Sequence, residues 1–163
     1  MKIGIISDTH LKKDISHLLR ILDTHLSDVD TIIHGGDYTN IKVINMLKKY
    51  KNFIGVWGNV DDSSVRKVLE EKAIFEVSSF KIGVYHGHGT EKTTIERAYN
   101  LFAGDDVDII IFGHSHQPVI TTKGRVLMLN PGSPTRKRSE RWFSCIVLEI
   151  LEKTITAELK LFK

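Results

Sequence analysis

Five short apolar runs, spread along the chain from residue 3 to residue 112, each lead into a segment rich in Asp, Asn or His. Ligands of open α/β sheets bind beyond the carboxyl ends of the strands, so these segments are predicted to meet at one edge of a sheet. The segments are Asp8-Thr9-His10, Gly36-Asp37, Gly58-Asn59, His86-Gly87-His88 and Gly113-His114-Ser115-His116. The pattern therefore favours a fold whose strand ends converge on a single polar site.

Strand and helix signals alternate through the first two thirds of the chain, and hairpin signals follow. Apolar residues at helical spacing predict helices at residues 14–26, 40–50, 62–72 and 94–102, the third capped by Asp62 or Ser63. Strands are predicted at residues 2–6, 29–34, 53–57, 74–77, 81–85, 107–112, 119–122, 125–129, 142–150 and 154–161. This order predicts an α/β fold of two facing mixed sheets with helices outside, folded as a single domain over residues 1–163.

Composition narrows the classes of function. A length of 163 residues suits one domain with a core that needs no disulfide. A net charge of +3 gives little support for a nucleic-acid or anionic-membrane partner. The chain has neither a signal-peptide pattern nor a membrane-length apolar run, which predicts a cytoplasmic location. Its one cysteine, Cys145, lies in an apolar stretch and is predicted to be a buried, reduced thiol.

Carboxylates and imidazoles without thiolates suit first-row divalent metals rather than a structural zinc cage. The candidate ligands outnumber those that one tetrahedral ion needs, and they fit two ions if one carboxylate bridges. Asp37 is the predicted bridge, because Gly35 and Gly36 let its backbone approach closely. The seven candidate ligands are Asp8, His10, Asp37, Asn59, His86, His114 and His116. Two such ions roughly 3.5–4 Å apart are the usual arrangement for phosphoester hydrolysis.

The charge of such a site favours phosphodiesters. Two divalent ions, the carboxylates of Asp8 and Asp37, a bridging hydroxide and a diester monoanion together are neutral. A monoester dianion would leave one negative charge.

The five segments resemble, in type and order, the motifs of calcineurin-like metallophosphoesterases. The segment Asn130-Pro131-Gly132-Ser133 resembles a segment found in the compact YfcE-like phosphodiesterase subfamily. The resemblance therefore spans residues 1 to about 133. It implies a four-layer αββα sandwich, and a metal-bridging hydroxide that attacks small phosphodiesters while Asn59 contacts a phosphoryl oxygen. It implies one ion on Asp8, His10, Asp37 and His116, and a second on Asp37, Asn59, His86 and His114. Manganese is the common metal, with iron, nickel, cobalt or zinc in some members.

One position departs from the family pattern. Many relatives carry a histidine after the Gly-Asn pair, where this chain has Val60, and valine can neither contact phosphate nor protonate a leaving group. We expect either slow turnover restricted to good leaving groups or a substitute donor, and His88 is the candidate catalytic residue nearest in sequence. Asp61 is retained and is expected to orient a ligand such as His10 through its second ring nitrogen.

Other residues have a simpler interpretation. His34 is expected to support the turn before Asp37 rather than to bind metal.

The only basic run in the sequence consists of residues 136–138 and Arg141. It is interpreted as a solvated loop rather than a phosphate or nucleic-acid contact, because Trp142 is the only aromatic residue that adjoins it.

Two alternative functions remain open at this stage. One is a protein-interaction scaffold on the same fold, as in the retromer subunit that resembles this family. The other is a nuclease, for which the small net charge offers no obvious polynucleotide track. A homodimer is possible, but no interface can be located from the sequence.

Overall fold

The computed structural model describes residues 1–12 and 14–163, which form two five-stranded sheets flanked by helices. The elements are β1 (Lys2–Ile6), α1 (Ser16–His25), β2 (Thr31–His34), α2 (Ile41–Tyr50), β3 (Asn52–Gly55), α3 (Ser63–Arg66), β4 (Lys72–Val77), β5 (Phe80–Tyr85), α4 (Thr94–Leu101), β6 (Ile109–Ile111), β7 (Val119–Lys123), β8 (Val126–Asn130), β9 (Phe143–Leu151) and β10 (Thr154–Phe162).

Both sheets are mixed, as the sequence predicts. The first has the order β10-β9-β1-β2-β3, in which β1, β2 and β3 are parallel and the β9–β10 hairpin runs antiparallel to β1. The second has the order β4-β5-β6-β8-β7, with β5, β6 and β8 parallel. The parallel strands of each sheet therefore bring their carboxyl ends to one edge.

Three apolar layers hold the sheets and helices together. Ile3 of the first sheet and Val84 of the second are fully buried in the core between the sheets. The other face of the first sheet packs on Leu22 of α1 and Leu47 of α2, and Ala98 of α4 packs on the second sheet. Strands covered on both faces appear as continuous apolar runs in the sequence. The four-layer αββα sandwich is thus confirmed.

The third helix is shorter than predicted. Asp62 caps it as expected, but it ends at Arg66, so the prediction that it reaches residue 72 was wrong. The Trp57 N–H donates to the Glu70 carbonyl at 3.0 Å, and Lys72 already begins β4. The chain must therefore leave the helix early to return to the sheet.

Cys145 is a free, buried cysteine, as the sequence predicts. Burial raises the pKa of its thiol to about 12, so the thiolate is scarce at neutral pH and the side chain is a poor nucleophile.

Within residues 1–12 and 14–163, no helix combines the length and apolarity that a membrane crossing requires. The cytoplasmic location stays a prediction.

Candidate metal centre

The loops that follow β1, β2, β3, β5 and β6 meet at one edge of the sandwich and bring the seven candidate ligands together. Two groups have donor atoms within 4.8 Å of one another: Asp8, His10 and His116, and Asp8, Asp37 and His86. Nδ1 of His114 lies 3.0 Å from Oδ1 of Asn59, and the His114 ring centroid lies 5.2 Å from that of His86.

The Asp37 carboxylate lies between histidines from two different loops. Its Oδ2 is 3.5 Å from Nε2 of His10 and 3.3 Å from Nε2 of His86. Its Oδ1 accepts the N–H of Val60 at 3.1 Å. Burial opposes ionisation, but the adjacent imidazole of His86 holds the pKa of Asp37 below its usual value. One oxygen is anchored and the other faces both sides of the cluster, which suits a bridging carboxylate.

The Asp8 carboxylate is held by one oxygen and left unpaired at the other. Its Oδ2 accepts the Ser7 hydroxyl at 2.7 Å and the His114 N–H at 2.9 Å. Its buried Oδ1 has no hydrogen-bond partner and lies 3.2 Å from Nε2 of His116 and 3.8 Å from Nε2 of His10. Burial opposes ionisation, but the adjacent imidazoles of His10 and His116 hold the pKa of Asp8 far below its usual range. A cation would satisfy this oxygen, which is otherwise costly to bury.

Two histidines are oriented by backbone carbonyls. Nδ1 of His86 donates to the Gly35 carbonyl at 2.7 Å, and Nδ1 of His116 donates to the Arg136 carbonyl. These bonds leave the Nε2 lone pairs free to bind a metal, and the buried Nε2 of His86 has no hydrogen-bond partner. Nε2 of His116 lies 3.1 Å from Nε2 of His10, so two imidazoles point to the same space. Convergent imidazole and carboxylate donors fit a first-row divalent ion.

Most of the candidate ligands have left-handed backbone conformations. Five of the seven have positive φ angles: Asp8 (56°), His10 (47°), Asp37 (63°), His114 (70°) and His116 (60°). Such angles cost on the order of 1–3 kcal/mol for a residue with a side chain and persist where the surroundings enforce them. Asp, Asn and His adopt them more often than other non-glycine residues do. The tendency of Asp and His to adopt positive φ angles was the one signal in the sequence for these left-handed conformations. Sequence reasoning missed it.

Two glycines allow the loops of Asp37 and Asn59 to touch. Gly36 has a φ of 101°, and a Cβ there would lie 2.8 Å from Nδ1 of His86. A Cβ on Gly58 would overlap the Asp37 carboxylate. The glycine before each ligand therefore provides space as well as backbone freedom.

Asp61 ties the same two loops together, a role that sequence reasoning missed. Its carboxylate is buried and accepts four backbone hydrogen bonds. The donors are the N–H groups of Asp37 (2.9 Å), Tyr38 (2.8 Å), Thr39 (2.8 Å) and Gly58 (2.8 Å). Burial raises the pKa of Asp61, while the backbone N–H donors oppose that shift. The expectation that Asp61 orients His10 was wrong, because both of its oxygens are occupied by these backbone donors.

His88 lies beside the cluster rather than in it. Its ring centroid is 5.8 Å from that of His86, and its Nε2 is 3.3 Å from a carboxylate oxygen of Glu71. Trp57 and Tyr85 pack against the ring, and burial lowers the pKa of His88. The imidazole is therefore close enough to face a substrate but is held by a different carboxylate.

His34 supports the turn before Asp37, as expected. Its Nδ1 accepts the Gly36 N–H at 3.1 Å, and its Nε2 lies 3.1 Å from the Thr9 hydroxyl. Burial lowers the pKa of His34 to about 3, so the ring is neutral and links the first two loops.

The segment from Asn130 to Ser133 borders the centre. The Asn130 amide donates to the Gly113 carbonyl at 3.0 Å, and the Ser133 hydroxyl donates to the Asp8 carbonyl at 2.8 Å. Both contacts hold ligand-bearing loops by their backbones.

Comparison with known proteins agrees with this geometry. A model of the calcineurin-like phosphoesterase superfamily domain matches residues 1–153. A probable metallophosphoesterase of Methanocaldococcus jannaschii is 38% identical over 139 residues, which cover 85% of this chain and 70% of that protein. A phosphodiesterase of the same archaeon is 29% identical over 145 residues, covering 81% and 83%. Vps29 of Entamoeba histolytica, solved in complex with Zn²⁺, shares the fold with a TM-score of 0.74 and 23% identity over the full length of both chains.

Proposed function

Because the chain belongs to the calcineurin-like phosphoesterase superfamily, we propose that it is a phosphodiesterase that uses two divalent ions, manganese foremost, to hydrolyse small phosphodiesters. The observation that carries the proposal is Oδ2 of Asp37, placed 3.5 Å from His10 and 3.3 Å from His86. One ion would be held by Asp8, His10, Asp37 and His116, and the other by Asp37, Asn59, His86 and His114.

When bound, the two ions would place positive charge at the phosphoryl oxygens and lower the pKa of the attacking water. The protein keeps the donors in place. Ser7 fixes the rotation of the Asp8 carboxylate, and the carbonyls of Gly35 and Arg136 fix the tautomers of two imidazoles. Asn59 is exposed at the edge of the cluster, where its amide N–H can reach a phosphoryl oxygen.

The charge of the donor set supports a diester substrate. The two groups of converging donors contain two carboxylates, those of Asp8 and Asp37. With two divalent ions and one hydroxide they leave a single positive charge, which a diester monoanion neutralises.

The whole chain is proposed to act as one domain. β10 lies beyond the family match but pairs with β9 along its full length, from residue 154 to residue 162, and so completes the first sheet.

The direct test is hydrolysis of bis(p-nitrophenyl) phosphate. We expect turnover with Mn²⁺, loss with EDTA, recovery when Mn²⁺ is restored, and slower cleavage of p-nitrophenyl phosphate. Metal analysis should find two ions per chain. A folded, metal-saturated protein that cleaves no phosphate ester would overturn the proposal and favour a scaffold role instead.

His88 is proposed to donate a proton to the leaving group in place of the histidine absent at Val60. General acids contribute on the order of 10²–10⁴-fold, most for poor leaving groups. We therefore expect His88→Ala to slow aryl diesters with high leaving-group pKa by at least about tenfold, and those of p-nitrophenol much less. Glu71→Gln, which removes the charged partner of His88, serves as the matched variant. An equal effect of His88→Ala across the series would rule out this role.

A further inference from the structure

Basic and aromatic side chains from two separate segments come together beside the metal centre. The guanidinium carbon of Arg141 lies 5.3 Å from the Trp142 ring centroid. Nζ of Lys163, the residue after β10, lies 5.7 Å from the same centroid. The Phe143 and Phe162 rings are 6.1 Å apart at 31°. We call Lys137, Arg141, Trp142, Phe143, Phe162 and Lys163 the basic–aromatic strip. The sequence shows one ring next to the basic run, and the fold adds a ring and a cation from the end of β10.

The strip lies along the edge of the sheet that carries Asp8. Ile5 of β1 pairs with Ile146 of β9, and Phe143 of β9 pairs in turn with Phe162 of β10. Because neighbouring strands are about 4.8 Å apart, β10 lies roughly 10 Å from β1. Ser133 connects the two regions: its hydroxyl binds the Asp8 carbonyl at 2.8 Å, and its carbonyl accepts the Ser144 N–H at 3.0 Å.

Positive charge continues from the metal centre into the strip. The Arg136 carbonyl binds His116, and the Arg138 guanidinium lies 3.5 Å from the His114 carbonyl. The same loop then supplies Lys137, whose Nζ is 5.0 Å from the Phe143 ring. Residues 136–138 therefore connect the metal centre to the strip through one loop.

A surface depression of about 170 Å³ lies against the strip. Its described lining residues, none of them acidic, are His17, Arg20, Ile21, Thr24, His25, Phe143, Phe162 and Lys163. Asp14 and Glu140 lie nearby in the chain and offset part of the charge. The volume equals that of about six water molecules, which suits one planar base.

We propose that the basic–aromatic strip binds single-stranded nucleic acid and leads its phosphodiester backbone towards the metal centre. Sequence-tolerant single-strand sites combine cations that follow the phosphates with rings on which bases stack, and the strip has both. Delivery of a scissile phosphate rests on the proposed function, whereas binding does not. The small net charge implies few phosphate contacts, and therefore modest affinity and a shallow dependence on salt.

Binding is tested without catalysis. Fluorescence anisotropy would follow end-labelled oligo-U and oligo-dT of about twelve nucleotides with metal-free protein in EDTA at about 50 mM salt. We expect a dissociation constant of about 1–100 µM. Arg141→Glu/Lys163→Glu should weaken binding at least about tenfold and reduce the slope of log K against log salt by roughly 1.4, about 0.7 per lost contact. Trp142→Ala should weaken it about tenfold through lost stacking.

The matched control is Lys48→Glu/Lys153→Glu, which changes the net charge equally. Lys48 is exposed on α2, and Lys153 lies in the β9–β10 turn, at the opposite end of the hairpin from Lys163. Binding should change less than about twofold, and hydrolysis of bis(p-nitrophenyl) phosphate should be unaffected in this control double variant. The proposal fails if neither oligonucleotide binds the unchanged protein, or if both double variants, folded by circular dichroism, weaken binding equally.

Discussion

Replacing Asp37 by asparagine is expected to lower kcat/KM for bis(p-nitrophenyl) phosphate by about 10³-fold or more. The carboxylate faces both histidine groups, so its loss would weaken both proposed ion sites at once. Metal ions contribute several kcal/mol to charge stabilisation in such reactions, and each 1.4 kcal/mol is about tenfold in rate. Metal analysis should find fewer than two ions per chain in the variant.

The control for this change is Asp62→Asn, the same substitution 25 positions along the sequence. Asp62 is exposed and caps α3, and asparagine caps a helix about as well as aspartate. We expect activity within about twofold of the unchanged protein, because the residue lies outside the metal centre. A loss of less than tenfold in Asp37→Asn would contradict the bridging role.

Replacing Asp61 by alanine is expected to destabilise the metal-free protein by on the order of 4 kcal/mol, since each buried donor left without a partner costs about 1–3 kcal/mol. Four N–H groups would lose their acceptor. The loops that present Asp37 and Asn59 would then separate, and affinity for Mn²⁺ should fall about 10–100-fold. Urea unfolding in EDTA and calorimetric titration with Mn²⁺ measure the two effects.

Two further variants isolate the role of this carboxylate. Asp61→Asn keeps one accepting oxygen and should give an intermediate loss of stability. Asp62→Ala removes only a helix cap and should cost about 1 kcal/mol without changing Mn²⁺ affinity. If Asp61→Ala behaves like Asp62→Ala, the four hydrogen bonds do not hold the centre together.

The sandwich and the convergence of the seven candidate ligands were predictable because both depend on short-range patterns. Strand β1 runs from Lys2 to Ile6, as predicted, since a β-branched apolar run ending at Asp8 permits few alternatives. Parallel strands then bring their carboxyl ends to one edge without any knowledge of packing. The order of motifs along the chain was therefore sufficient to predict that these side chains converge at one edge.

The remaining features depend on contacts between segments that the sequence keeps apart. Three of the four backbone partners of Asp61 lie more than twenty positions upstream, and no local pattern indicates that its carboxylate turns towards them. The end of α3 at Arg66 follows from the return of the chain into β4. The basic run gained its second group of aromatic and cationic side chains only when β10 packed beside β9.

The left-handed conformations of Asp8, His10, Asp37, His114 and His116 set stability and function against each other. Glycine adopts such angles without strain, so glycine at any of these positions would relax the local backbone while deleting a donor atom. Laboratory evolution for heat resistance alone, with no screen for hydrolysis, should accumulate glycines at these strand ends and yield robust but inert descendants.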